Sequence, residues 1–386
     1  MKKILFFLLL FASTVQAETL VDRYVDTDCA NNGDGTSNSC AGSPGGAGAY
    51  RTLQQALDDV FTDYPDMVSA DVDVAIRCQG ATADAGTGST DHAALIDGFT
   101  MDATRNLFIL ADEADRHDGK WNTGKYRLEG SFYYGVIRLR DPYVTIAWLQ
   151  IGQTRTGAAP STPGAGIYID LNGSPTAGRM LFARNVMRYT GDYTNQSVRA
   201  FDDQHTETSG QDKIFETNII YDYVRGIELR PEPSGDVYAY ANTCLSNAAS
   251  AICYVIRGNA GGSVTINARN NIAQGTATGF DIDVSAGGTW TNSNNLSEDA
   301  TSPNNTYDSK VITFVDEGGR DLHLDPGDTE AVDQGFDLSG VAEPVTVDID
   351  NDSRPENAVY DIGADEVVAG GGGGGLLPLL QAIGED

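Results

Sequence analysis

The sequence predicts an all-β chain wound as a solenoid of stacked strands, with one amphipathic helix at its N-terminal end. Three observations carry that expectation. Between Gly135 and Asn295 one cassette recurs six times, each copy a short alternating strand, a turn and a second strand. The copies are spaced by roughly 24 to 36 residues, the period of architectures in which no unit buries its apolar face alone and stacked neighbours supply the core. Most copies carry an Asn followed by a hydrophobic residue in the second strand, and a helical pattern precedes the first rung.

Taken in chain order, residues 1–17 have the zones of a secretory signal: Met1-Lys2-Lys3, an apolar run from Ile4 to Phe11, then Val15-Gln16-Ala17. That run is too short to span a bilayer. The expectation is a chain that is not transmembrane, matures near Glu18, and is secreted or held at a bacterial cell envelope. Residues 18–134 read as an N-terminal cap and irregular first rungs, beginning with a strand at Tyr24-Val25-Asp26. From Tyr50 to Phe61 the apolar residues Leu53, Ala56, Leu57, Val60 and Phe61 recur at helical spacing, with Thr52 as N-cap. A helix there covers the open end of a solenoid, whose edge groups otherwise invite pairing with other chains. The runs 72–77 and 107–111 are the early strands.

Residues 135–300 are the regular rungs. The first strands are 136–139, 166–170, 198–203, 226–230, 252–257 and 279–284; the second are 143–151, 180–187, 213–220, 237–244, 264–272 and 289–296. Strand side chains alternate between faces. Ile137, Leu139, Ile167, Ile169, Ile227, Leu229, Phe280 and Ile282 then point inward, and Arg138, Arg140, Tyr168, Asp170, Glu228, Arg230, Asp281 and Asp283 outward. The run 198–203 leaves its register open, because Val198, Ala200 and Phe201 cannot all be inward under strict alternation. Asn185, Asn218, Asn242, Asn271 and Asn295 fall where a strand turns a corner, where stacked amides hydrogen-bond the turn backbone. Residues 301–366 break the pattern and form a separate C-terminal β module. Residues 367–386 are a linker with six consecutive glycines and a short hydrophobic tail.

Composition narrows the function. The chain has 25 basic and 55 acidic residues, a formal net charge of −30. It lacks the basic surplus that phosphate-backbone binding needs, which excludes nucleic acid as a partner. An acidic surface keeps an exported protein soluble and collects divalent cations. Five cysteines in an exported chain point to disulfides. Cys29 and Cys40 flank a polar loop and Cys244 and Cys253 flank one inter-strand turn, so the expected pairs are 29 with 40 and 244 with 253. Cys78 is left over, either buried as a small hydrophobe or competing for a partner. No CxxC or Cys/His cluster is present, which argues against zinc.

Two stretches carry a family resemblance. Tyr24-Val25-Asp26, Gly33-Asp34-Gly35-Thr36 and Tyr50 to Leu57 are similar to the lead-in and capping helix of the pectate-lyase-like superfamily. The closing residues Ala331 to Gly335, Asp348-Ile349-Asp350, Arg354-Pro355 and Asp361-Ile362-Gly363-Ala364-Asp365-Glu366 look like the terminal module of many secreted bacterial members. The resemblance covers roughly residues 20–366. It implies a single-stranded right-handed parallel β-helix, a fold shared by lyases, glycoside hydrolases, adhesins and virus tail spikes.

Candidate chemistry lies on the outward positions. Equivalent residues on successive rungs stack about 4.8 Å apart, so Asp170, Asp202 or Asp203, and Glu228 are expected to form a carboxylate ladder with Arg230, flanked by Arg138, Arg257 and Tyr168 as substrate-binding residues. Carboxylates one rung apart match a retaining glycosidase and two rungs apart an inverting one. For a lyase, the resemblance implies an Arg acting beside calcium and carboxylates. An inert face screened by arginines gives the same pattern. Asp202-Asp203 with His205 is the sharpest local cluster. Asp348, Asp350 and Asp352 alternate like a calcium loop, although Ser353 and Val359 replace the expected Gly and Glu. His92, His117 and His323 have no evident partners. Three functions compete: a surface that binds extracellular polysaccharide, a polysaccharide lyase or glycoside hydrolase working between loops 154–165 and 204–212, and a virion tail or spike component.

Overall fold

The computed structural model describes residues 19–156, 164–171, 177–192, 198–203, 210–229, 235–257, 264–283, 288–356 and 358–368. The signal segment, Arg230, His205 and the Gly-rich tail lie outside them, as do parts of both loops expected to bound a groove. The chain is a right-handed parallel β-helix with three parallel sheets. The first sheet stacks Thr19–Asp26, Val72–Gln79, Leu107–Ala111, Val144–Ala147, Ala177–Ala183, Gly210–Glu216, Val237–Tyr240, Thr265–Arg269 and Thr289–Ser293. The second stacks Ala94–Ile96, Gly135–Leu139, Ala165–Ile169, Arg199–Asp203, Arg225–Leu229, Ile252–Arg257 and Thr278–Asp283. The third stacks Ala83–Asp84, Arg127–Gly130, Gln150–Gln153, Val186–Tyr189, Ile219–Tyr221, Thr243–Leu245, Ile272–Gln274 and Leu296–Ser297.

Each rung therefore has three strands where the cassette suggested two. The second strand of each cassette is broken by a corner, and the break is made by a residue in the left-handed region: Trp148, Arg184, Thr217, Ala241, Asn270 and Asn294 all have φ between 51° and 57°. Most L residues enter that region at a cost, and in every corner but the one at Trp148 the residue that follows is an Asn that compensates. Asn185, Asn218, Asn242, Asn271 and Asn295 are fully buried and form a continuous ladder. The Asn218 Oδ1 accepts from both the Asn185 backbone N–H and its Nδ2 at 3.0 Å, and Asn242, Asn271 and Asn295 repeat the pattern. Each Nδ2 also reaches a carbonyl of the neighbouring rung, as Asn218 does to Phe182 at 2.8 Å. Asn304, past the break in the sequence pattern, extends the ladder by accepting from the Asn295 N–H at 3.1 Å.

The helix runs over Leu53–Asp63, with the Thr52 hydroxyl accepting from Gln55 N. Leu53, Ala56, Leu57 and Val60 enter the core as expected, but Phe61 is 44% exposed and meets Phe99 edge-on. The helix starts at Leu53 rather than at Tyr50, because Tyr50 bridges to Val25 in extended backbone. Gln54 Oε1 accepts from Leu95 N at 2.7 Å, so the helix covers the terminal strand of the second sheet.

The C-terminal segment holds one antiparallel pair, Phe314–Asp316 with Asp321–Leu324. It packs Ile312, Phe314, Leu322, Leu324, Ile349 and Ile362 against Val186, Ile219, Leu245, Ile272 and Leu296. Arg354 explains its closing motif. The guanidinium is fully buried, pairs with Glu366 at 2.9 Å, and donates to the Gly363 and Asp361 carbonyls at 2.8 and 2.7 Å. Two disulfides join Cys29 to Cys40 and Cys244 to Cys253, and Cys78 is a buried free thiol.

Candidate functional site

The outer face of the second sheet is set by its register. Arg138, Tyr168, Asp202, Glu228, Val255 and Asp281 occupy one row on successive rungs. Asp170 is not in that row. Its N–H donates to Leu139 O just beyond the strand, which puts it beside Arg140. Asp203 is not outward at all: it aligns with Ile169 and Leu229 on the core side. The paired register skips Gly166, Ala200, Gly226 and Cys253 in their rungs, so alternation breaks there and Val198, Ala200 and Phe201 are all buried. That interruption resolves the conflict in the sequence pattern. Gly226 has a packing reason, since a Cβ there would lie 2.4 Å from Cys253 O and 3.0 Å from Cys244 Sγ.

Exposure of the ladder is the main correction. Asp170, Asp202 and Glu228 are 1%, 0% and 1% exposed, and each carboxylate meets a cation. Arg138 and Arg140 donate to Asp170 Oδ2 at 2.7 and 3.1 Å, and Arg140 also reaches Asp97 at 3.0 Å. Arg199 lies 3.4 Å from Asp202 and also binds Glu228, which accepts from Arg225 at 2.6 Å as well. Burial alone raises a carboxyl pKa, but Arg199 and Arg225 outweigh it and hold Glu228 below its ordinary value. Asp203 pairs with Lys213 Nζ at 2.6 Å, both buried. Arg257, half exposed, is paired with Asp281.

The sequence reading missed Arg140, Arg199, Lys213 and Arg225 as partners. Two of them carried a signal, because Arg199 and Arg225 each stand three residues before the acid they bind. Around Arg138 the face turns aromatic. The Tyr134 and Tyr168 rings stack at 5.7 Å, Arg138 lies over Tyr134 at 4.2 Å, and Arg155 lies over Tyr133 at 4.3 Å. Burial, with the charges of Asp170 and Asp202, pushes the Tyr168 phenol up to about 12. It acts there as a neutral ring with a hydroxyl.

The calcium triad is likewise taken apart. Asp348 is buried, and its oxygens accept from the backbone N–H groups of Asp350, Asp352 and Glu366 at 2.9, 2.7 and 3.1 Å. It builds the turn. Asp350 instead faces His323, whose Nε2 lies 3.0 Å from its Oδ2, while Nδ1 contacts Asp321. Burial lowers an imidazole pKa, yet Asp350, Asp365 and Asp321 raise that of His323 to about 10. His117, also without a partner in the sequence reading, is buried with Nε2 2.9 Å from Arg184 O.

Comparisons with known proteins add little to this geometry. No family model matches the chain, and no curated protein does. A solved structure described as the crystal structure of pectate lyase Pel9A is similar over 90% of this chain and 96% of its own, at 13% identity and a TM-score of 0.32. No helix among the described residues is long and apolar enough to cross a membrane.

Proposed function

We propose that this chain is an exported β-helix protein that binds an extracellular polysaccharide on the outer face of its second sheet, without cleaving it. The observation that carries this reading is the closure of every described candidate acid by a cation: Asp170 by Arg138 and Arg140, Asp202 and Glu228 by Arg199, and Asp203 by Lys213. Glycosidic hydrolysis needs one carboxyl that keeps a proton and a second free to reach the sugar or a water. Glu228, held ionised between two arginines, fits neither role. Tyr133, 49% exposed, with Tyr134 and Tyr168 beside it supplies flat apolar rings and phenolic hydroxyls, a combination suited to stacking on pyranose faces and to hydrogen-bonding sugar hydroxyls. The two disulfides favour an oxidising compartment.

Affinity electrophoresis against uronate and neutral polysaccharides tests the reading. Retardation of the wild type that is reduced in Tyr168→Ala, with no new absorbance at 235 nm and no new reducing ends with or without calcium, is the expected result. A lyase or glycoside hydrolase is the second reading, and it rests on Asp202 and Glu228 lying on adjacent rungs around a shared Arg199. Cleavage that disappears in Glu228→Gln would replace the binding reading with this one.

A further inference from the structure

We propose that His323, Asp350 and Asp365 form a binding site for a divalent transition-metal ion, with Zn2+ the ion that suits the donors, and that Asp321 positions the imidazole. The three residues come from separate segments: the strand Asp321–Leu324, the turn built by Asp348, and the closing strip that Arg354 anchors. His323 Nε2 and one oxygen from each of the two carboxylates lie within 4.8 Å of one another. An ion bonded at about 2.0 to 2.2 Å from each donor closes that spacing with small side-chain movements.

Independent features point to a ligand site here. The Nε2 atom is shielded from solvent and lies 3.0 Å from Asp350 Oδ2, so the two donors already face one another and a bound ion takes the place of the proton between them. The other ring nitrogen is taken by Asp321, whose second oxygen accepts from Lys120 Nζ at 3.2 Å. A carboxylate behind one imidazole nitrogen fixes the ring so that the other nitrogen faces a metal, the arrangement that orients most metal-binding histidines. Asp365 is almost fully buried and its Oδ2 accepts from Leu324 N at 2.8 Å, which pins its carboxylate next to His323. Gly119, at φ +72°, flanks the cluster. A side chain there would put its Cβ 2.2 Å from His323 Nε2 and 3.0 Å from Asp350 Oδ1, so glycine is what leaves this approach to the nitrogen open.

The donor chemistry selects the ion. Calcium binds through oxygen alone, whereas an imidazole nitrogen with two carboxylates suits zinc and its first-row neighbours. The sequence argued against zinc because it lacks a local Cys/His cluster. The donors here are 27 and 15 residues apart in sequence and meet only because the C-terminal segment folds back along the third sheet.

Calorimetric titration of the EDTA-stripped full chain with ZnCl2 tests the site. The wild type is expected to bind one Zn2+, His323→Ala to lose measurable binding, and Asp365→Asn to bind more weakly. Asp321→Asn keeps all three ligands and should weaken binding roughly 10- to 100-fold, which keeps the test decisive if His323→Ala does not fold by circular dichroism. Asp352→Asn should bind like the wild type. Absence of saturable Zn2+ binding, or binding that Asp321→Asn and His323→Ala leave unchanged, overturns the proposal. So does Ca2+ binding that ignores His323 and is lost in Asp352→Asn, which would restore the Asp348-Asp350-Asp352 loop.

Discussion

The asparagine corner and the charged face of the second sheet are both rows of buried polar groups at rung spacing, yet they are solved in different ways. In the corner one residue type repeats, and each amide satisfies the next rung and is satisfied by the one before. The row is self-complementary and uncharged. On the second sheet the row changes identity at every rung, from Arg138 through Tyr168 to Asp202 and Glu228, and its charges are balanced from flanking positions, the acids by Arg199 and Arg225 and Arg138 by Asp170. A repeated identical residue reports the winding of the chain. A non-repeating polar row reports local charge compensation, and its pairing cannot be inferred from position alone.

That contrast breaks most visibly at Arg199. Arg199→Ala removes a cation that both Asp202 and Glu228 meet, and breaking a buried ion pair by removing one member costs about 3 to 5 kcal/mol. Urea denaturation should register a loss of that size. If the change is near zero, the face is better solvated than its burial implies. In the corner, Asn218→Ala removes the acceptor for two Asn185 donors and the donor to Phe182 O. A loss of about 2 to 4 kcal/mol is expected in the same assay, since each buried group left unsatisfied costs about 1 to 3 kcal/mol.

The Cys244–Cys253 bond ties the two regions together, one cysteine two residues beyond Asn242 and the other in the second sheet. Replacing both by Ala should lower stability by about 2 to 3 kcal/mol, the effect expected for a short closed loop. Reduction of the wild type should lower its melting temperature in parallel.

Titration sharpens the comparison, because compensated and uncompensated acids have opposite signs. Glu228 is held below its ordinary value of 4.5, so its contribution is present above that pH and lost as pH falls through its folded pKa. Asp141 accepts from Phe99 N at 2.9 Å, but burial pushes its carboxyl up to about 6. Its contribution is complete below 3.8 and is lost as pH rises through about 6. Between those values the wild type should lose on the order of 2 kcal/mol through Asp141. Asp141→Asn should flatten that limb of the stability curve, while Glu228→Gln should flatten only the acid limb.

Much of the winding was legible in the residues. Period-two alternation placed Ile137, Ile167 and Ile227 inside, and the spacing of the asparagines marked the corners. Both disulfides follow from cysteines placed across short turns. These features depend on near neighbours or on a strict repeat, and a sequence displays both directly. It did not display the third strand of each rung, because a single left-handed residue such as Thr217 or Ala241 splits an otherwise continuous apolar run. Nor did it show that Asp170, Asp202 and Glu228 are buried and paired. Whether an outward carboxylate meets water or a guanidinium depends on side chains from other rungs and flanking positions. The meeting of His323 with Asp350 and Asp365 was decided the same way, by the return of residues 301–366 along the third sheet. Local pattern determined the coil, and long-range packing determined which of its charges are free to act.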